Sequence, residues 1–453
     1  MRGLKILTAG IIALILVTLT LVAGGPRRAV DWRDLRAVVL HSDDWGFAGF
    51  APDAAAWQGV DREALDPGRF PDAYWGSTLE DGAAVSDLAD VLFSFRGRDG
   101  LPAVLQPNYI LFSLDAAGTE AGAPTWLRRE LPAFPAAYRR PGLWAAVAAA
   151  RERGVWHPEL HGAWHYDPSL RRLRAEESPA AAMALVRGIT LFRDAQSAKE
   201  LGPWRSQEDL AVELDACFRV FTAMFGQRPV SIIAPDYTWS GRNEALWTAR
   251  GLRVIQAKRE QRNPDLPPGR LGRMLKWLDR HVSIVSRPDR TFIERNCRFE
   301  PAQNDDPTAV TRRCLAAVGR AWAAGEPAVI ETHRVNFVHL DQAVAARGRR
   351  ELASLLGDLA QRDPGPLFMS DAEVAQLDRR GVSAVVRSNL VVVRNGSHAR
   401  RIVTVPAAIL PAPAGEARTG TRDPLIIAVP AGATFLVIAD DKGRHIITRK
   451  PRS

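Results

Sequence analysis

Short continuous apolar runs alternate along this chain with longer stretches in which apolar residues return every three or four positions. These are the spacings of buried strands and of helices with one buried face. Residues 37–41 (A-V-V-L-H) predict a buried strand, 84–95 a helix, and 102–114 contain the next strand. The same reading predicts helices over 143–153, 207–225, 243–250, 308–324 and 342–362. Strands are predicted over 155–160, 230–234, 252–257, 328–331 and 367–369, the last followed by a further helix. Strand and helix alternating at least six times indicate a parallel α/β fold, whose natural form at this size is a closed or nearly closed (β/α) barrel over residues 30–380. Reactive side chains then collect at one mouth, where the strands end.

Three stretches break the pattern. Residues 47–80, rich in Gly, Pro, Asp and Trp, read as a long surface loop lining a cleft, and 259–273 read as a second loop. Beyond Gly381 the helical periodicity stops. β-rich runs at 384–393, 401–409, 425–429 and 434–438 predict a small C-terminal all-β, sandwich-like domain over 382–450, with Asn395-Gly396 as a hairpin turn and 411–423 as a loop. That region holds no tryptophan or tyrosine, so it reads as a packing accessory domain and not as a carbohydrate-binding one.

Composition narrows the class. With 453 residues, 46% hydrophobic and 25% charged, the chain is an ordinary globular protein, neither disordered nor fibrous. The net charge of +9 comes mainly from arginine and no basic run is interleaved with aromatics, so nucleic-acid binding is not expected. At the N-terminus, Arg2 and Lys5 precede an apolar run over 6–23 and then Gly24-Gly25-Pro26. Residues 1–25 are therefore a secretory signal or an uncleaved signal anchor, and the remainder is exported, periplasmic or held at the outer side of the cytoplasmic membrane. Cys217, Cys297 and Cys314 are too few for a disulfide scaffold. A Cys297–Cys314 bridge and three buried thiols both remain open.

The richest stretch chemically is 156–167, W-H-P-E-L-H-G-A-W-H-Y-D. His161 and His165 are four apart, a spacing that brings two imidazoles to one side of a turn, where both can hold a metal ion. His157 reads as a structural neighbour. Asp43 and Asp44 end the first strand, where adjacent carboxylates are costly unless paired or bound to a cation, and His333 ends a later one. One carboxylate and two imidazoles make a catalytic metal set that leaves positions for water and substrate. The other carboxylate can act as base and a histidine opposite as acid. Trp45, Trp164, Tyr237 and Trp239 lie beside strand ends, either to stack on sugar rings or to fill the core.

At these residues the chain resembles the polysaccharide deacetylase family, carbohydrate esterases on a distorted (β/α) barrel of about seven strands. Ser42-Asp43-Asp44-Trp45-Gly46 matches part of the family's first motif, which implies Asp43 as base and Asp44 as metal ligand. His161 and His165 match the second motif's two metal-binding histidines. Ala234-Pro235-Asp236-Tyr237 shares proline and tyrosine with the third, and His333 corresponds to the family's general acid. Ala234 stands where the family has the arginine that tethers the base, so either Arg334 or another residue takes that part or the base is tuned differently. Trp277 and Asp279 are candidates for the tryptophan motif. The resemblance implies removal of N- or O-acetyl groups from an exported or cell-surface polysaccharide with a divalent metal, zinc by preference. Trp45, Pro235, Asp236, Tyr237, Trp239 and Arg334 are the candidate substrate contacts. The alternatives are a non-catalytic polysaccharide-binding or assembly protein on the same barrel, and a glycoside hydrolase.

Overall fold

The computed structural model describes residues 29–65, 71–115, 127–190, 200–258, 262–266, 269–272, 274–275, 290–410, 424–440 and 443–449. Residues 1–25 and 411–423, with Trp277 and Asp279, lie outside the described residues.

The first strand, β1 (Ala37–Trp45), is buried along its whole length and continues well past the predicted apolar run. It pairs in parallel with β2 (Leu105–Tyr109). A side hairpin of β3 (Phe112–Asp115) and β4 (Leu127–Glu130) follows. Then come β5 (Glu159–Leu160), β6 (Ser231–Ile232), β7 (Val254–Ala257), β8 (Thr291–Glu294), β9 (Cys297–Arg298), β10 (Ala328–His333) and β11 (Leu367–Phe368). Along the sheet the order is β8-β7-β6-β5-β2-β1-β10-β9. β11 adds to the start of β1, on the edge that β2 takes over from Leu40.

The two edge strands of this sheet are neighbours in sequence, separated only by Arg295 and Asn296. Arg295 N donates to Ala257 O on the β7 side at 2.9 Å, and Asn296 N donates to Val329 O on the β10 side at 3.1 Å. The chain thus steps from one edge to the other within two residues and curls the sheet into a ring. With β8 and β9 counted as one passage, seven strands go round it, as the barrel expectation has it.

Helices α1 (Gly82–Ser94), α2 (Leu143–Glu152), α3 (Gln207–Phe225), α4 (Gly241–Ala249), α5 (Pro307–Ala324), α6 (Gln342–Ala360) and α7 (Asp371–Arg380) are the principal connections. Their starts follow sequence signals: the side chains of Asp81, Ser206, Asp306, Asp341 and Ser370 accept backbone N–H groups of α1, α3, α5, α6 and α7. Gly226, Gly325 and Gly381 end α3, α5 and α7 in the left-handed conformation. Leu88, Leu92, Phe221, Val318, Leu352 and Leu355 from four of these helices bury against Val38 and Leu40 of β1 in one continuous core.

The C-terminal segment forms β12 (Val382–Arg387), β13 (Leu390–Asn395), β14 (Arg401–Val405), β15 (Leu425–Val429), β16 (Thr434–Asp440) and β17 (Gly443–Arg449). The sheet β12-β13-β16-β17 faces the pair β14-β15 across Val391, Val393, Val403, Val405, Ile427 and Val429. The hairpin turn is at Ser388-Asn389, with Ser388 at φ 62°, and it divides the run read as one strand. The chain also bends after Asn395, whose Oδ1 accepts from Ser397 N at 3.0 Å, but this is no hairpin, because β14 pairs with β15 and not with β13. The Asn395 amide donates to the carbonyls of Ala399, Val429 and Pro430 and ties the two sheets together.

One further expectation changes, and the choice between a bridge and free thiols is decided. Phe47, Ala48, Phe50 and Ala51 are buried, so the start of the 47–80 segment packs inward and is not a surface loop. All three cysteines are free, buried thiols. Among the described residues no helix is long and apolar enough to cross a membrane.

Candidate active site

Asp43 and Asp44 would point to opposite faces of a regular strand. Here the β1–β2 register shifts between Ser42 and Trp45 and Asp44 takes a left-handed φ of 72°. This bulge aims both carboxylates at the mouth of the barrel. Gly46 follows at φ 73°, where a Cβ would stand 2.9 Å from Ile110 O, so the turn out of the bulge requires glycine.

Asp44 Oδ1 faces His161 Nε2 at 3.5 Å and His165 Nε2 at 3.3 Å. It is buried without a hydrogen-bond partner, and the three donor atoms lie within 4.8 Å of one another. His161 follows β5, and its Nδ1 meets Ile233 O at 3.3 Å, which leaves the Nε2 lone pair for the site. The two rings converge without a helix: His165 has φ 71° and Gly162 φ 105°. The buried Glu200 carboxylate secures this loop by accepting the backbone N–H groups of Ala163, Trp164 and His165 at 2.7, 3.1 and 2.8 Å. A Cβ on Gly162 would approach Glu200 Oε2 to 2.8 Å. Burial and the nearby Glu213 push Glu200 up to about 7 against those three donors.

Asp43 is held differently. Arg295 Nη1 donates to its Oδ2 at 2.6 Å and Nη2 to its Oδ1 at 2.7 Å, while Asn108 Nδ2 donates to Oδ1 at 2.7 Å. Burial works to raise the Asp43 carboxyl, but the Arg295 guanidinium holds it well below the usual carboxylate range. His333 is the register partner of Asp43 across β1 and β10, so it stands beside the base candidate and not opposite it as expected, with Nε2 3.8 Å from Asp43 Oδ2. Glu300 Oε1 lies 2.6 Å from His333 Nδ1, and Asn336 donates to Glu300 Oε2 at 2.7 Å. Burial opposes the imidazolium, but Glu300, with Asp44 and Asp43 behind it, pushes His333 up to about 10. Its side chain remains 25% exposed at the mouth.

The candidate substrate contacts divide. Tyr237 stays beside the base: its hydroxyl accepts from Arg295 Nη1 at 3.0 Å and donates to Glu331 Oε2 at 2.6 Å. Asp236 precedes it, partly exposed and paired with Arg262, and both residues have positive φ. Pro235 is buried at the start of this turn. Trp45 and Trp239 are fully buried, with their indole N–H groups on Ser42 and Glu244, and both belong to the core, as does Trp164. Arg334 is also fully buried. It bonds Glu80 Oε2 at 2.7 Å and Phe47 O at 3.1 Å and fixes the chain after the bulge, away from substrate and base. His157 stands apart, with Nε2 at 3.4 Å from Glu159. Sequence spacing does not single out Arg295, Glu300 or Glu200. For the first two the available signal is T-F-I-E-R-N-C-R-F-E over 291–300, a stretch that ends in alternating apolar and charged residues; Glu200 has none.

No family model matches the chain, and no curated protein matches it. Among solved structures, a candidate polysaccharide deacetylase from Mycobacterium smegmatis is similar over 78% of this chain and 94% of its own, at 12% identity and a TM-score of 0.39. The 4-alpha-glucanotransferase from Thermococcus litoralis covers 75% of this chain and 40% of its own, at 7% identity and 0.33. An alpha-amylase from Anoxybacillus covers 92% and 99%, at 11% identity and 0.31. Scores of this size carry no argument about chemistry, which rests on the side-chain geometry.

Proposed function

We propose that this chain is a metal-dependent hydrolase that removes N- or O-acetyl groups from a polysaccharide. The observation that carries this reading is the buried, unpartnered Asp44 Oδ1 faced by two imidazole nitrogens, beside a second carboxylate kept out of the set. Three converging lone-pair donors of this mix fit a divalent cation, with zinc the first choice. Such a cation, when bound, lowers the pKa of a water to roughly 7 and polarises an acyl oxygen.

The chain supplies the rest. Asp43, kept ionised by Arg295, is the base that takes the proton of the attacking water. The two-pronged grip also keeps it from swinging toward the ligand set. His333, protonated at neutral pH beside Glu300, gives a proton to the leaving nitrogen or oxygen on the same side of the mouth. Water is consumed, and acetate and a free amine or hydroxyl are released. A glycoside hydrolase would need two carboxyl groups flanking a glycosidic bond. Here one is locked in an ion pair and the other faces two histidines, which favours acyl transfer to water. The proposal includes export of the chain, with the 1–25 segment as the membrane attachment where it is retained.

Acetate release from acetylated xylan and chitin oligomers is the test. Asp43→Asn should lower turnover by about 10²- to 10⁴-fold with metal content unchanged. Shortened polymer without acetate would overturn the reading.

A further inference from the structure

Behind Arg295 lies a buried pair that the proposed chemistry does not use. His41 and Asp371 are both completely buried, with Nε2 and Oδ1 2.7 Å apart. His41 sits two residues before Asp43 on β1, and Asp371 opens α7. His41 Nδ1 lies 3.2 Å from Arg295 Nε. Guanidinium N–H groups only donate, so Nδ1 must present its lone pair and the ring proton must sit on Nε2, toward Asp371. A carboxylate only accepts, and it therefore selects that tautomer.

Every donor of Arg295 is then accounted for. Nε–H goes to His41. Nη1 serves Asp43 Oδ2 and Tyr237 Oη at 2.6 and 3.0 Å. Nη2 serves Asp43 Oδ1 and Gln256 Oε1 at 2.7 and 2.8 Å. A guanidinium has five N–H donors, and all five are used in one plane setting. Of the acceptors, His41 is the one whose capacity to accept depends on which nitrogen holds the proton.

We infer that His41 and Asp371 are positioning residues, which act through the Arg295 plane to fix the orientation of the Asp43 carboxylate; the inference rests on Asp43 being the base. Asp371→Asn removes the tautomer control, because a side-chain amide can donate to Nε2 and drive the proton onto Nδ1, against Arg295. The side-chain oxygen of Asn at position 41 can still accept from Nε–H, whereas Leu cannot.

The experiment compares wild type with Asp371→Asn, His41→Asn and His41→Leu. The readouts are kcat and KM for acetate release, metal content, and nitrogen-15 imidazole spectra in which His41 is assigned by its loss in the variants. The expected result is a kcat lowered by about 10- to 100-fold in Asp371→Asn and His41→Leu, with KM and metal content within twofold and partial recovery in His41→Asn. In the wild type, His41 should show an Nε2–H protected from exchange and an unprotonated Nδ1. Full kcat in a folded, metal-loaded His41→Leu, or a proton on Nδ1 in the wild type, would overturn the inference. Should the wild type release no acetate, the functional reading fails, while the spectra still decide the tautomer independently.

Discussion

Arg295 binds Asp43 through both terminal nitrogens in a buried setting, so its removal exposes two separate effects. Arg295→Ala leaves a buried carboxylate without its counter-charge and should cost about 3–5 kcal/mol of stability, read by urea unfolding. Arg295→Lys keeps the charge but loses the fork. It should recover most of that stability while turnover stays low. Equal recovery of stability and turnover would mean that orientation of the base is unimportant. The same residue marks the limit of sequence reading. Arg295 and Asp43 are 252 positions apart, and only the curling of the sheet brings the β8–β9 seam beside β1. Asp43, Asp44, His161, His165 and His333 were legible because reactive groups at strand ends stand out locally. The aromatics were not: Trp45 is a neighbour of two site carboxylates, and a one-residue bulge turns it into the core.

Among the elements, β1 carries most of the site, and its bulge explains how adjacent aspartates serve different partners. Gly46→Ala introduces a Cβ 2.9 Å from Ile110 O at positive φ. The backbone alone should cost roughly 1–2 kcal/mol, and relief of the clash should shift Asp44. The variant is expected to melt at lower temperature and to bind metal more weakly, measured by calorimetric titration; wild-type affinity would show that the bulge does not aim Asp44. Long helices were legible to within a turn because an apolar residue every three or four positions marks their buried face. The two-residue strands β5 and β6 are shorter than the runs that predict them, and β8 and β9 are not predicted, because their limits depend on neighbouring strands. The C-terminal hairpin turn was missed because Ser388-Asn389 is a weaker turn signal than Asn395-Gly396.

Across the whole molecule, the C-terminal β unit is fastened to the barrel through buried charge. Arg394 on β13 pairs with Asp99, beyond α1, and with Glu373 on α7 at 2.8 Å, beside a shared contact of Leu101, Val392 and Leu436. Burial would raise the Glu373 carboxyl, but Arg394 and then Arg387 hold it below its ordinary 4.5. A depressed folded-state pKa stabilises the protein above the unfolded value, and the stabilisation is lost as pH falls through the folded one. Glu373→Gln should therefore be less stable than wild type at pH 7, and the gap should close below about pH 4.5, followed by unfolding at graded pH. A constant gap would remove the charge from the account.

Asp44, His161 and His165 form the proposed metal centre. The experiment is the metal content, by elemental mass spectrometry, of a fragment starting at Val30 and of its His161→Ala variant, both dialysed after incubation with zinc. About one ion per folded wild-type chain and almost none in the variant is the expected outcome. A folded wild-type fragment that retains no ion would overturn the assignment.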